Sequence, residues 1–358
     1  MTDPAPRVIQ VMAGAANGGA ETAFIDMCLA MHQAGVPQHV VLRAHAYRQA
    51  QLERAGIPYT TLPFGGPLDI YTPWRIKRLI TSFRADIVQT WMSRAAQRLP
   101  RRPRKARYLV FSRLGGYYAL KHFPRTDYFV TNTPDIREYL IKAGVLPVRV
   151  QHINNFAEME TTGDTAPVSR TDLATPETAP LALCLARLHT SKALDIVIAA
   201  AAQIPALHVW LAGAGPEEAA LRRLAQDHKC ADRIHFLGWR NDRSALLRAA
   251  DMFILSSRFE PFGTSFIQAW IEGRPLIACD SDGPRQFVRD YIDGLLIPRD
   301  SVPAMVAAIR QIIDNPDLAK GLCENGLAHY QESFTKDRAV AAYLDYYTAA
   351  LAAEGMAR

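Results

Sequence analysis

The chain has 358 residues, 49% of them hydrophobic, and a formal net charge of +6. This length exceeds one ordinary core and implies two domains, and the composition excludes a disordered or fibrous protein. No apolar run reaches the ~20 residues of a membrane span, and "MTDPAPRVIQ" lacks the regions of a signal peptide, so a cytoplasmic location is expected.

The charge is uneven. Residues 1–160 carry 21 Lys and Arg against 11 Asp and Glu, and the remainder 20 against 24. A basic half, densest at "RLPRRPRKAR" (Arg98 to Arg107), suits an anionic partner such as a phosphorylated acceptor, a membrane surface or nucleic acid. The five cysteines are scattered and form no Cys-x-x-Cys pair, so neither a disulfide nor a structural zinc is expected.

In chain order, "RVIQVMA" predicts a strand and "GGAETAFIDMCLAMHQAG" a helix ended by Gly35. "QHVVLRA" is a strand, "IKRLITSFR" a helix, and "DIVQTW", "RYLVFSR" and "YFVTN" are strands. "TPDIREYLIKAG" is a helix capped by Thr133 with Pro134 at its first position. Phe156 to Pro180 is rich in Thr, Pro and Ala, has neither period, and reads as a linker. Alternation then restarts with the strands "LALCLAR", "LHVWLAG", "RIHFLG", "MFILSS" and "PLIACD", separated by helices. The tail is one more helix carrying Tyr343, Tyr346 and Tyr347. The expected class is α/β, with two doubly wound domains of parallel strands facing across a cleft at the carboxyl ends of both sheets. The expected bounds are 1–160, a linker at 161–180, 181–335, and a C-terminal helix at 336–358 that returns toward the first domain.

Several strand-end loops carry candidate chemistry. "MAGAANGGAET" joins a strand to a helix N-terminus, and Gly14, Gly18 and Gly19 allow close backbone approach to an anion. It is not Gly-x-Gly-x-x-Gly, and Arg43 and His45 stand where a nicotinamide site wants an acid, so NAD is disfavoured. Gly213 and Gly215 make half of a dinucleotide fingerprint, which Pro216 at a first helical position explains structurally. Arg187 ends a buried strand and Lys192 opens the next helix, a pair of cations suited to a diphosphate. In "SSRFEPFGTSFIQAW", Glu260 is a lone carboxylate in a strand-to-helix turn, and Ser265 with Gln268 fits a capping box. Asp280 and Asp282 resemble a metal-binding Asp-x-Asp pair, but Gly283-Pro284 makes a turn the better reading, and no metal site is expected.

Together, "LCLARLHTSKALDIVIAA", "VWLAGAGPEEAALRRLA", "RIHFLGW", "LLRAADMFILSSRFEPFGTSFIQAWIEGRPLIACDSDGPRQFV" and "DGLLIPRD" resemble, in order, the C-terminal half of family 4 retaining glycosyltransferases of the GT-B fold. "GGAET" and "SRLGGYYALKHF" with "TNTPDIREYL" resemble the bacterial branch associated with lipopolysaccharide core and related surface glycans. The resemblance implies transfer of a sugar, with retention and without a metal or cofactor, from a nucleoside-diphosphate donor to a lipid-linked or saccharide acceptor. It implies that Arg187 and Lys192 grip the diphosphate and that Glu260 contacts the donor sugar. The amides of Gly263, Thr264 and Ser265 would meet the phosphate, and Gly18 and Gly19 would close on the donor. Gly238, Trp239 and Arg240 lie where the family holds the nucleobase. Gln268 replaces the second Glu of the family motif, so ribose binding is expected to weaken by ~1–2 kcal/mol. Arg113-Leu114-Gly115-Gly116 stands where many relatives carry a His-Asp pair, and no general base is assigned; His122 is the nearest histidine. An anionic glycan or glycolipid acceptor and peripheral contact with the inner membrane are the expected partners, and nucleic acid is not. "WRIKRLITSFR" is expected to pack Ile76, Leu79, Ile80 and Phe83 on its own sheet rather than enter a membrane. The alternative is a non-catalytic GT-B protein that binds a nucleotide or partner.

Overall fold

The alternating pattern folds as two parallel sheets, each in its own compact unit: residues Met1–Phe156 with Thr335–Arg358, and Ala157–Phe334. The computed structural model describes residues 5–14, 18–66, 68–103, 106–157, 159 and 166–356. Part of the Gly-rich loop (15–17), of the basic block (104–105) and of the linker (158, 160–165) lies outside them.

The first unit runs β1 (Val8–Met12), α1 (Gly19–Gln33), β2 (Gln38–Leu42), α2 (Ala46–Arg54), β3 (Tyr59–Thr61), α3 (Tyr71–Phe83), β4 (Ile87–Trp91), α4 (Met92–Gln97), β5 (Leu109–Leu114), β6 (Tyr128–Thr131), α5 (Pro134–Lys142) and β7 (Val150–His152). Its strand order is β3-β2-β1-β4-β5-β6-β7. Central strands β1, β4 and β5 are buried at every position, as helices on both faces require. Helix α5 starts as its sequence dictates: Thr133 Oγ1 accepts the Ile136 N–H at 3.3 Å, with Pro134 at the first position. Helix α3 begins five residues before the periodic run predicted, because the Asp69 carboxylate accepts the Thr72 N–H at 2.9 Å.

The second unit runs β8 (Leu181–Leu185), α6 (Leu194–Ala201), β9 (His208–Ala212), α7 (Glu218–Asp227), β10 (Ile234–Gly238), α8 (Arg243–Ala249), β11 (Met252–Leu255), α9 (Thr264–Ile271), β12 (Leu276–Cys279), α10 (Pro284–Phe287), β13 (Leu295–Ile297), α11 (Val302–Asp314) and α12 (Pro316–Ser333). Its order is β10-β9-β8-β11-β12-β13. From residue 166 the Thr- and Pro-rich stretch is built into this unit. The Arg170 guanidinium donates to the carbonyls of Ala249, Glu177 and Ala179 and pairs with Asp251 at 2.7 Å. Trp210 Nε1–H donates to Thr175 Oγ1 at 2.8 Å.

The tail, α13 (Lys336–Ala353), returns to the first unit. It buries Val340, Tyr343, Tyr347 and Leu351 beside α1 and β5. The Tyr347 ring meets Phe111 edge-on at 4.8 Å, and its hydroxyl donates to Gln89 Oε1 at 2.9 Å. Full burial of such side chains stabilises by ~1.5–3 kcal/mol each, which fixes the helix in place.

Candidate active site

The strand order of the second sheet reverses between β8 and β11, the switch point at which doubly wound sheets take ligands. The loops after these two strands are stitched together there. Ser256 O–H donates to the Lys192 carbonyl at 2.7 Å, and the Arg258 and Phe259 N–H groups reach the Ser191 carbonyl at 2.9 and 3.3 Å. Glu260 is therefore not alone. Lys192 Nζ lies 2.5 Å from its Oε2, and Ser257 O–H donates to the same oxygen at 3.3 Å. The two side chains are 23% and 15% exposed, so the pair is partly desolvated yet reachable. Arg187, just past β8, is exposed and makes no ion pair among the described residues.

The loop after β12 supports this arrangement. The Gly283 N–H donates to the Glu260 carbonyl at 2.7 Å. A Cβ at Gly283 would sit 2.2 Å from the Phe262 carbonyl oxygen, so only glycine lets the two loops approach this closely. Asp280 and Asp282 each face an arginine, Arg299 at 3.3 Å and Arg285 at 3.5 Å.

Sequence reasoning missed Arg258. Its guanidinium holds Asp195 at 2.6 Å, Asp300 at 2.5 Å and the Thr190 carbonyl at 2.7 Å, which locks the Glu260 loop onto α6. These partners lie 42 to 68 positions away and leave no local signal. Ala193, between Lys192 and α6, is held left-handed at φ 50°, a strained conformation for a residue with a Cβ.

Two local expectations need correction. Helix α9 is capped by Gly263 in the left-handed region (φ 90°) with no side-chain cap, so Ser265 and Gln268 do not form a capping box. The first-turn amides of Thr264 and Ser265 are left without helical partners. Gln268 is instead buried, 5% exposed. Helix α7 starts at Glu218, so Pro216 is not at its first position. Gly213 and Gly215 are glycines because Cβ atoms there would meet the Ala186 and Leu188 carbonyls at 1.9 and 2.1 Å. At the end of β10, Gly238 has φ 64°. Trp239 after it is 72% exposed, and Arg240 pairs with Asp242.

In the first unit the switch point lies between β1 and β4. Gly18 caps α1 and Gly19 opens it. A Cβ on Gly14 or Gly18 would meet the Glu21 side chain at 2.9 or 2.4 Å, so this helix N-terminus already carries a carboxylate. Met92, at the end of β4, is left-handed at φ 65°. Arg113 is buried, with its guanidinium on Asn155 Oδ1 and 4.7 Å above the Trp91 ring. Burial lowers its pKa, while the Tyr343 phenol, pushed up to about 12 by burial, stays neutral beside it. Arg113 thus ties strands to α13. His122 is held by Gln97 Nε2 at 2.7 Å.

A partly paired lysine, an unpaired arginine and open helix amides beside a carboxylate, all on the switch-point edge, can hold a polyanion next to hydroxyl groups. In two doubly wound units, this is the arrangement of a GT-B glycosyltransferase. Residues 166–329 match the family Glycosyl transferases group 1, and residues 17–161 match Glycosyltransferase Family 4. The lipopolysaccharide core biosynthesis glycosyltransferase LpsE of Rhizobium meliloti is 31% identical over 92% of this chain and 95% of that protein. LpsD of the same organism is 29% identical over the same shares. The crystal structure of Anabaena Alr3699/HepE with UDP and glucose has a TM-score of 0.77 at 20% identity, covering 95% of this chain and 98% of that one. A glycosyltransferase structure from Rickettsia africae reaches 0.82 at 15% identity, over 97% and 99%. The chain belongs to this glycosyltransferase family.

Proposed function

We propose that the chain is a retaining glycosyltransferase of lipopolysaccharide core assembly. It takes a hexose-type sugar from a nucleoside-diphosphate donor and passes it to a lipid-linked, anionic saccharide at the cytoplasmic membrane face. The observation that carries the reading is the Lys192–Glu260 pair at the switch point of the second sheet, with exposed Arg187 just past β8. In the reaction the bond from the sugar's anomeric carbon to the diphosphate oxygen breaks. The acceptor hydroxyl bonds to that carbon on the same face, and its proton passes to the leaving phosphate oxygen. Arg187, Lys192 and the Thr264 and Ser265 amides oppose the negative charge that grows on the diphosphate. These cations and amides supply the neutralisation a metal would otherwise provide, so the proposal includes no metal or cofactor. Glu260 accepts hydrogen bonds from sugar hydroxyls. The names of LpsE and LpsD support the pathway, and the UDP held by Alr3699/HepE makes UDP the first nucleotide to try.

Calorimetric titration with UDP, GDP, ADP and NAD tests the site. One diphosphate is expected to bind, and Arg187→Ala to weaken it roughly 10- to 100-fold. Release of sugar from the matching donor in the presence of lipopolysaccharide acceptor then tests transfer. No binding by any nucleotide up to millimolar concentration refutes the donor assignment.

A further inference from the structure

The basic block of the first unit ends at a cavity that the sugar-transfer site does not use. Its volume is about 530 Å³, inside the ~300–1,000 Å³ range of ligand sites. It lies beside the turn from α3 into β4 and the segment that leads into β5, at the amino ends of both strands. The switch point of this sheet is at the carboxyl ends, so the cavity stands apart from it. Ile80, Ala85 and Tyr108, 7, 7 and 8% exposed, line it together with Met356 from beyond α13. Two cations line it as well, Arg84 and Arg107, both exposed and neither in an ion pair among the described residues.

The backbone sets Arg84 apart. It ends α3 in the left-handed region (φ 53°, ψ 51°), and the Ala85 N–H after it donates to the Ile80 carbonyl at 3.1 Å. Helix ends of this shape ordinarily take glycine, because a Cβ is strained there. An arginine held at such a position points to a use for its side chain.

The surroundings favour an anion. The carbonyl end of α3 would repel one, but Arg7 covers it. The Arg7 Nε–H donates to the Phe83 carbonyl at 2.7 Å, and its guanidinium lies 4.5 Å from the Phe83 ring centroid. Asp86, the one acid among the lining residues, accepts the Arg7 N–H at 2.8 Å. Arg102, in the same basic block, is spent on Asp127 and the Tyr108 carbonyl, whereas Arg107 is not.

We propose that this cavity binds a small amphipathic anion, a carboxylate, sulfonate or phosphate on a ring system or one short chain. Its apolar body packs on Ile80, Ala85, Tyr108 and Met356, and its charge meets Arg84 and Arg107. The space is too small for the two acyl chains of a phospholipid. The proposal does not rest on the sugar-transfer reading.

The test uses two dyes on the full chain, read by fluorescence. 8-Anilinonaphthalene-1-sulfonate has an apolar ring system and one anion, and N-phenyl-1-naphthylamine is the same ring system without the sulfonate. The wild type is expected to bind both saturably. Arg84→Gly with Arg107→Ala should weaken the sulfonate dye roughly tenfold or more and leave the neutral dye unchanged. This variant should melt no lower than the wild type, because glycine relieves the left-handed strain at residue 84. Arg107→Ala alone, which leaves the α3 end untouched, should weaken the sulfonate dye in the same direction. Lys77→Ala with Arg78→Ala removes two exposed cations of α3 outside the cavity and should bind as wild type. Ala106→Trp fills the cavity and should lose both dyes. Any of four results would overturn the proposal: no saturable binding by the wild type, full sulfonate-dye affinity in the Arg84/Arg107 variant, an equal loss in the Lys77/Arg78 control, or undiminished binding in a folded Ala106→Trp.

Discussion

The Lys192–Glu260 pair separates stability from function in a way one experiment can expose. At 2.5 Å, and with an effective dielectric of about 40 for so partly exposed a pair, the attraction is ~3 kcal/mol. Desolvation and the ordering of two long side chains take back part of it, leaving a coupling of ~1–2 kcal/mol. Lys192→Met leaves Glu260 in a half-buried site with only Ser257 as donor, so it should lower the melting temperature by roughly 2–8 °C for a unit of this size. Lys192→Met with Glu260→Gln removes both charges and should recover most of that loss. Affinity for the donor diphosphate should not recover, because the cation that meets the phosphate is still missing. Thermal melts of the wild type, both single variants and the double variant, beside calorimetry with the matching nucleotide, give the complete cycle. If the double variant melts as low as Lys192→Met alone, the two charges are not coupled. If it binds the nucleotide as tightly as wild type, Lys192 does not meet the donor. Either result refutes the reasoning.

Gln268→Glu places a carboxylate at a buried position, and calorimetry should show ~5- to 20-fold tighter nucleotide binding together with a lower melting temperature without ligand. Gly283→Ala drives a Cβ into the Phe262 carbonyl, so the Glu260 loop must shift, and urea unfolding should show a loss of ~2–4 kcal/mol with weakened donor binding. Tyr347→Phe leaves the buried Gln89 Oε1 without its donor and should cost ~1–3 kcal/mol in the same assay. Burial lowers the pKa values of His39, His152, His208 and His235, which are neutral in the folded state and protonate first in the unfolded chain. Stability should therefore hold above the unfolded value of ~6.5 and fall as pH drops below it, and urea midpoints at descending pH check this slope.

Much of the fold was legible because its signals are local. The strands from "LALCLAR" to "PLIACD" each appear within two residues of the predicted ends, since a buried parallel strand is a short apolar run between breakers. The Thr133 cap and Pro134 likewise set the start of α5 within four residues of chain. Helix α2 escaped notice because only Arg48 and Leu52 of its residues are buried, and β3, β7 and β13 because three residues show no period. The capping box at Ser265 failed because Gly263, already left-handed, starts the helix without help from a side chain.

The sequence by itself determined most of the strands and the longer helices, that they alternate into parallel sheets, and which loops carry glycine, cation and carboxylate. Only the tertiary structure decided that strand β11 lies beside β8, and so that Lys192 meets Glu260 across 68 residues, and that Arg258 gathers Asp195 and Asp300. Periodicity and caps act between near neighbours in the chain. The pairing of loops is set by strand order, which depends on how whole elements bury their faces against one another.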